Sequence, residues 1–226
     1  MAPRSYNQFC GLARALDLLG ERWTLLVVRE LMLGPKRFRD LLGALPGIGT
    51  NLLSARLKTL EADGLVQRIQ LPQPAYALTD HGERLRPMLD GLALWGYDLL
   101  PQDPGTATAR ATWAALSMRA AAERDGRALP HGTIAFTIGD EEFYLTADGD
   151  ELELRDGRPA TDPEVHVTAG HDAFFALADR RVTPAAAVRN GQITVDGDRR
   201  LLERLLAAAH LPPRGTWHGA PSEHVE

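Results

Sequence analysis

Leucines set the rhythm of the first hundred residues. Leu12, Leu16 and Leu19 recur at helical spacing and predict a first helix over about Phe9–Leu19. Trp23, Leu26, Val27 and Leu31 predict a second, closed by Gly34-Pro35. Phe38, Leu41, Leu42 and Leu45 mark a short third helix that Pro46-Gly47 ends. Leu53, Leu57 and Leu60 mark a fourth, with Thr50 as the expected N-cap and Gly64 past its C-terminus. The period then changes. Leu65–Ile69 and Tyr76–Leu78 read as two strands joined through Pro72-Gln73-Pro74. From Thr79 a long helix carries Leu85, Met88, Leu89, Leu92, Trp95 and Leu99 along one stripe. Pro87 inside it is expected to kink the helix or to sit in an early turn.

Pro101–Thr106 is the clearest break in the chain. Beyond it an alanine-rich helix is expected from about Ala107 to Arg124. Strands follow at Thr133–Ile138, Glu142–Thr146, Glu151–Arg155 and Glu164–Thr168, and Glu151–Arg155 alternates apolar and polar positions cleanly. Helices are expected at His171–Ala178 and Pro184–Arg189, then a strand at Gln192–Val195 and a last helix at Arg199–Ala209. The tail after Pro212 is expected to be loosely ordered. The expected organisation is a domain over 1–100, a linker and connecting helix over 101–130, a second domain over 131–212 and a tail over 213–226.

Charge separates the same two halves. Residues 1–100 carry 12 Lys/Arg and 10 Asp/Glu, whereas residues 101–226 carry 13 and 20. The net charge of -5 therefore conceals a first half suited to a polyanion and a second half that is not. Between Lys36 and Arg68 there are six basic residues and three acidic ones. No apolar run approaches the ~18–20 residues that span a bilayer. The N-terminus lacks the apolar stretch of a signal peptide, so a cytoplasmic protein without a membrane partner is expected.

Helices, a tight turn, another helix and a two-stranded hairpin are the parts of a winged helix-turn-helix. There the helix after the turn enters the major groove of double-stranded DNA. With Leu53, Leu57 and Leu60 facing the core, Thr50, Asn51, Ser54, Ala55 and Lys58 point outward. Asn pairs with adenine, Thr and Ser bond either base class, and Lys serves phosphate or guanine. Arg56 adds a basic candidate on the same helix. Arg68 and Gln73 belong to the wing, and Arg37 opens the third helix as a candidate phosphate contact.

Specific words sharpen this reading. Cys10, Leu16–Gly20, Arg22–Leu26, Arg29-Glu30-Leu31, Arg37–Leu41, Gly47-Ile48, Arg56–Glu61, Gly64-Leu65-Val66, Leu78–Gly82 and Trp95-Gly96 resemble, in order, the HxlR family of bacterial winged-helix regulators over about residues 9–97. The family's usual Cys-Pro is Cys10-Gly11 here. The resemblance implies a transcription regulator, expected to be a repressor. It also implies a homodimer on a palindromic operator, paired through Phe9–Leu19 and the Leu85–Leu99 stripe.

The second half resembles the sterol-carrier-protein-2-like (SCP2-like) fold from about Thr133 to Leu211. The resemblance rests on the two opening strands, Asp148-Gly149, Val165–Thr168, Asp172–Leu177, Thr183–Ala187, Asn190–Val195 and Asp196-Gly197-Asp198. The fold class expected is therefore α+β: a winged helix-turn-helix followed by a small sheet packed with helices. Relatives of the second domain enclose an apolar tunnel, and fusion to a DNA reader implies that it senses an apolar small-molecule effector. Phe136, Phe143, Phe174, Phe175, Leu177, Ile193 and Leu205 either line such a tunnel or fill a core of this size.

Other chemistry finds little support. The seven histidines show no metal-site spacing, and neither a Gly-rich phosphate loop nor a Gly-x-Ser-x-Gly elbow occurs, so no enzyme, metal or cofactor is expected. Asp140-Glu141-Glu142 and Asp148/Asp150 read as hairpin turns in solvent. Cys10, the single cysteine, lies near a helix N-terminus with Arg14 one turn away. It offers an alternative sensor of oxidants or electrophiles beside the inert, buried reading. A lipid carrier without a DNA role is the alternative of a different class.

Overall fold

A computed structural model describes residues 5–101, 105–126, 128–149 and 151–211, which form two compact units, 1–89 and 90–226. The expected tail over 213–226 lies outside the described residues, as do positions 102–104 of the Pro101–Thr106 break and Asp150.

The first unit opens with four helices, α1 (Gly11–Leu19), α2 (Thr24–Met32), α3 (Phe38–Ala44) and α4 (Thr50–Ala62). An antiparallel hairpin follows, β1 (Val66–Gln70) and β2 (Pro74–Leu78). Burial follows the leucine rhythm. Val27, Val28, Leu31, Leu41, Leu53, Leu57 and Leu60 make the core, because each recurs on the inward stripe of its helix. Gly49, not Thr50, caps α4; its extended backbone delivers Thr50 as the first helical residue. Lys36 exchanges two backbone hydrogen bonds with Tyr76, which adds a one-residue bridge to the hairpin edge.

The long helix expected from Thr79 is two helices, α5 (Asp80–Glu83) and α6 (Arg86–Tyr97), and Pro87 takes the second position of α6, where its missing N–H costs nothing. Thr79 organises the junction. Its hydroxyl donates to the Gly64 carbonyl at 2.6 Å and accepts from the Gly82 N–H at 3.0 Å. Gly82 is required there, since a Cβ would run into the Leu65 carbonyl oxygen.

The boundary between the units falls inside α6, after Leu89. The second unit continues with α7 (Ala111–Asp125), β3 (Gly132–Ile138), β4 (Glu141–Asp148), β5 (Glu151–Asp156) and β6 (Val165–Ala169). It ends with α8 (His171–Ala178), α9 (Pro184–Arg189), β7 (Ile193–Gly197) and α10 (Arg199–Ala208). Its five strands run in the order β5-β4-β3-β6-β7, with only the β3–β6 pair parallel. Register places Phe143, Phe136, Val167 and Val195 in one row across the sheet, and Leu154, Leu145, Ile134 and Val165 in the next. All eight are buried. Alternate positions such as Glu153, Tyr144, Thr137, His166 and Thr194 fall on the opposite, more exposed face, so the core lies on one side of the sheet.

α7, expected as a connecting helix, is an integral part of this unit. Ala111, Ala115, Met118, Ala121 and Ala122 are buried, and the helix packs on β4, β5 and α8. Short alanine side chains let its backbone approach closely. Glu141 corrects the solvent-turn reading of Asp140-Glu141-Glu142. The turn is Gly139-Asp140, and Glu141 begins β4 with its side chain pointing to the buried face.

Candidate nucleic-acid interface and ligand cleft

In the first unit, α3 and α4 are joined through a five-residue turn at positions 45–49. Gly47 lies there in the left-handed region at φ 88°, and a Cβ on it would touch the Trp23 ring. This turn sets the direction of α4. Thr50, Asn51, Ala55 and Lys58 are exposed on α4 and Ser54 is half-buried, opposite the Leu53–Leu57–Leu60 stripe. An amide, two hydroxyls and an ammonium thus share one face within two turns, the donor and acceptor set that reads base edges and phosphates.

The remaining basic candidates divide. Arg37 is exposed at the N-cap of α3, where its N–H donates to the Asp40 carboxylate at 3.2 Å. Arg56 is half-buried and its Nη2 donates to Glu21 at 2.9 Å, so its charge is committed within the domain. Arg68 is exposed on β1, pairs with Glu61 at 3.0 Å and lies over the Tyr76 ring at 5.3 Å. Gln73 is exposed at the tip of the hairpin. Arg39, also exposed on α3, was not singled out by sequence, although its place between Arg37 and Asp40 was the available signal.

In the second unit, the aromatic candidates pack against one another. Phe136 and Phe143 stack at 5.0 Å, and Phe174 meets both edge-on at 5.9 and 5.7 Å. Leu177, Ile193 and Leu205 are buried, and Phe175 is half-buried. A separate cleft of about 200 Å³ lies between α9, β7 and α10. Its apolar wall is Pro184, Ala185, Val188, Val195 and Leu202, and it also receives Arg189, Arg199 and Glu203. None of the seven sequence candidates lines this cleft. The signal was the spacing of arginines around an apolar helix pair, which a search for aromatics passes over.

Glu141 is a heavily bonded acid of this domain. Its carboxylate accepts from the Ala111 N–H at 2.7 Å, the Thr112 hydroxyl at 2.7 Å, the Thr112 N–H at 3.3 Å and Arg110 Nε at 3.1 Å. His171 Nε2 lies 3.1 Å away. Burial opposes its ionisation, but the Thr112 hydroxyl, the two amides at the N-terminus of α7 and the Arg110 charge outweigh burial and hold its pKa below the usual 4.5. Among the described residues no group of three His, Cys, Asp or Glu side chains could hold a metal ion, and no helix is long and apolar enough to cross a membrane.

The HxlR-like helix-turn-helix family model matches residues 18–104, which span the turn, α4 and the hairpin. An uncharacterized HTH-type transcriptional regulator of Bacillus subtilis, YvaP, is 40% identical over 89 residues, 38% of this chain and 82% of the relative. The chain belongs to the HxlR-like helix-turn-helix family. The HTH-type regulator YodB of Bacillus subtilis is 38% identical over 85 residues, 36% of this chain and 76% of YodB. Among solved structures, quinone-bound YodB from B. subtilis is 35% identical with a TM-score of 0.35, covering 38% of this chain and 93% of that one. The redox regulator HypR in its oxidized form is 33% identical with a TM-score of 0.36, covering 38% and 94%. The SCP-2 sterol transfer family model matches residues 114–209. This HxlR-type, DNA-binding transcription regulator therefore carries an SCP2 domain behind its winged helix, in an α+β chain.

Proposed function

We propose that this regulator binds a palindromic operator as a homodimer and that its SCP2 domain senses an apolar small-molecule effector. The observation that carries the dimer is a pair of exposed apolar faces. Leu12 and Leu16 line one side of α1, with Phe9 exposed just ahead of it, and Met88, Leu92 and Trp95 line one side of α6, with Leu92 47% and Trp95 67% exposed. Stripes at i, i+3, i+4 and i+7 spacing are built to be covered. A second copy is the occupant that suits a family reading in which two recognition helices meet two half-sites. In sedimentation velocity the parent sediments as a dimer and Leu92→Asp/Trp95→Asp as a monomer; a monomeric parent contradicts the proposal.

The effector reading rests on the α9–β7–α10 cleft. Its apolar wall takes an alkyl chain, and Arg189 and Arg199 complement an anionic end. At about 200 Å³ it lies below the ~300–1,000 Å³ of ordinary ligand sites, which favours a short chain such as decanoate. In this reading operator affinity falls on addition of decanoate, and a Leu202→Asp variant loses that response.

A second reading concerns Cys10. It stands exposed at the N-cap of α1, beside the stripe offered for dimerisation. YodB, whose solved structure is quinone-bound, supplies the precedent for an electrophile. Loss of operator binding on exposure to benzoquinone in the parent, and not in Cys10→Ser, supports this second input; equal responses remove it.

A further inference from the structure

The cleft and the dimer stripe lie on different elements, and α6 carries part of the stripe and bonds to Asp179, just ahead of the turn that leads into the cleft helix α9. The unit boundary falls within α6, and its C-terminal half is fastened inside the second unit at two points. Asp90 Oδ1 accepts from Arg119 Nη2 at 2.5 Å, while Arg119 Nη1 donates to Glu123 at 2.6 Å. The Arg119 side chain is 1% exposed. A guanidinium stripped of water holds its carboxylates tightly, because losing one leaves an uncompensated charge. Two turns further on, the Tyr97 hydroxyl donates to Asp179 Oδ1 at 2.7 Å, with the Tyr97 ring buried.

Helical geometry gives these contacts a direction. Asp90, Leu94 and Tyr97 are spaced i, i+4 and i+7 and share one face of α6. Leu94 and Tyr97 are buried, whereas Met88, Leu92 and Trp95 lie exposed on the other side. A shift of the first face therefore re-aims the second.

Asp179 also stands next to the cleft in the chain. It is the C-cap of α8, and Arg180 after it occupies the left-handed region at φ 55°, unusual for a residue with a side chain. Arg181 returns its N–H to the Ala176 carbonyl at 2.8 Å, and Thr183 then caps α9. α9 supplies Pro184, Ala185, Val188 and Arg189 to the cleft. Only the tight turn at 180–183 separates the helix that lines the cleft from the carboxylate that holds Tyr97.

We propose that α6 is the lever of this regulator: occupation of the α9–β7–α10 cleft moves the 179–183 turn, and the Asp179–Tyr97 hydrogen bond passes that movement to the face of α6 that carries Leu92 and Trp95. This rests on the reading of the cleft as the effector site. It assigns transmission to α6 rather than to α7, the obvious connector by sequence.

Hydrogen exchange on the full chain tests it, with decanoate as the probe and Val188→Trp as a variant that fills the cleft without a ligand. Either perturbation changes exchange in segment 184–190 and also in segment 92–97, by about fivefold or more if the coupling lies in the usual range. Tyr97→Phe keeps the response at 184–190 and loses it at 92–97. Asp179→Asn, which retains a carbonyl acceptor for the Tyr97 hydroxyl, keeps both. A response confined to 184–190 in the parent, or one that persists at 92–97 in Tyr97→Phe, overturns the lever and leaves the cleft standing. No response at 184–190 to either perturbation overturns the cleft, and the lever with it.

Discussion

Replacing Glu141 with alanine removes the anchor between α7 and the sheet, and the structure sets the size of the loss. The variant leaves the Thr112 hydroxyl and the Ala111 and Thr112 amides without their carboxylate, in a place where Ala111 and Thr112 are buried. It also takes the partner from Arg110, whose side chain is 26% exposed. Removing one member of a buried, hydrogen-bonded charge cluster costs about 3–5 kcal/mol. Glu141→Gln keeps an acceptor and is expected to cost about 1–3 kcal/mol. In urea, with a slope of about 1–3 kcal/mol per molar, the alanine variant moves the second-unit transition down by roughly 1–5 M. Circular dichroism fitted with separate transitions for the two units reads this.

The pH dependence of Glu141 has a definite sign. Its folded pKa lies below the ordinary 4.5, so its stabilisation is present above that value and drains as pH falls through the folded pKa. The parent loses this contribution below about pH 4.5, and Glu141→Gln lacks it throughout. An alanine variant within about 0.5 kcal/mol of the parent, the range of a neutral surface change, refutes the anchor.

Phe174→Ala opens the centre of the three-ring cluster and is expected to cost about 3–5 kcal/mol in the same second-unit transition; a change under 1 kcal/mol would mean that the rings are not the core. Lys58→Ala weakens binding on every DNA sequence and flattens the salt slope by about one unit, whereas Asn51→Ala costs about 1–3 kcal/mol and relaxes preference at one base pair. If both variants bind like the parent in fluorescence anisotropy, α4 is not the reading helix.

Much of this architecture is legible along the chain because burial follows local period. Leu53, Leu57 and Leu60 repeat at helical spacing and all three are buried, and the alternation of Glu151–Arg155 places Leu152 and Leu154 in the core. The legible features need only neighbours in sequence. What escaped depends on partners far away. Arg119 sits in an alanine-rich helix that reads as a connecting helix, and its burial makes sense only with Asp90, 29 positions earlier. Glu141 looks like a turn residue until Ala111 and Thr112 arrive from 30 and 29 positions away. Arg56 has the spacing of a DNA contact, yet Glu21, 35 positions distant, claims its guanidinium. The α6 stripe shows the converse: periodicity gathers Met88, Leu89, Leu92 and Trp95, but only the fold separates buried Leu89 from the exposed other three.

Hydroxyl-radical footprinting of the full-length protein on the DNA upstream of its own gene tests the central claim most directly. A dimer that presents two copies of α4 protects an inverted repeat whose half-sites lie about 10 bp, or a multiple of it, apart on one face of the duplex. A single asymmetric half-site, or no protection at any promoter-proximal sequence, contradicts it.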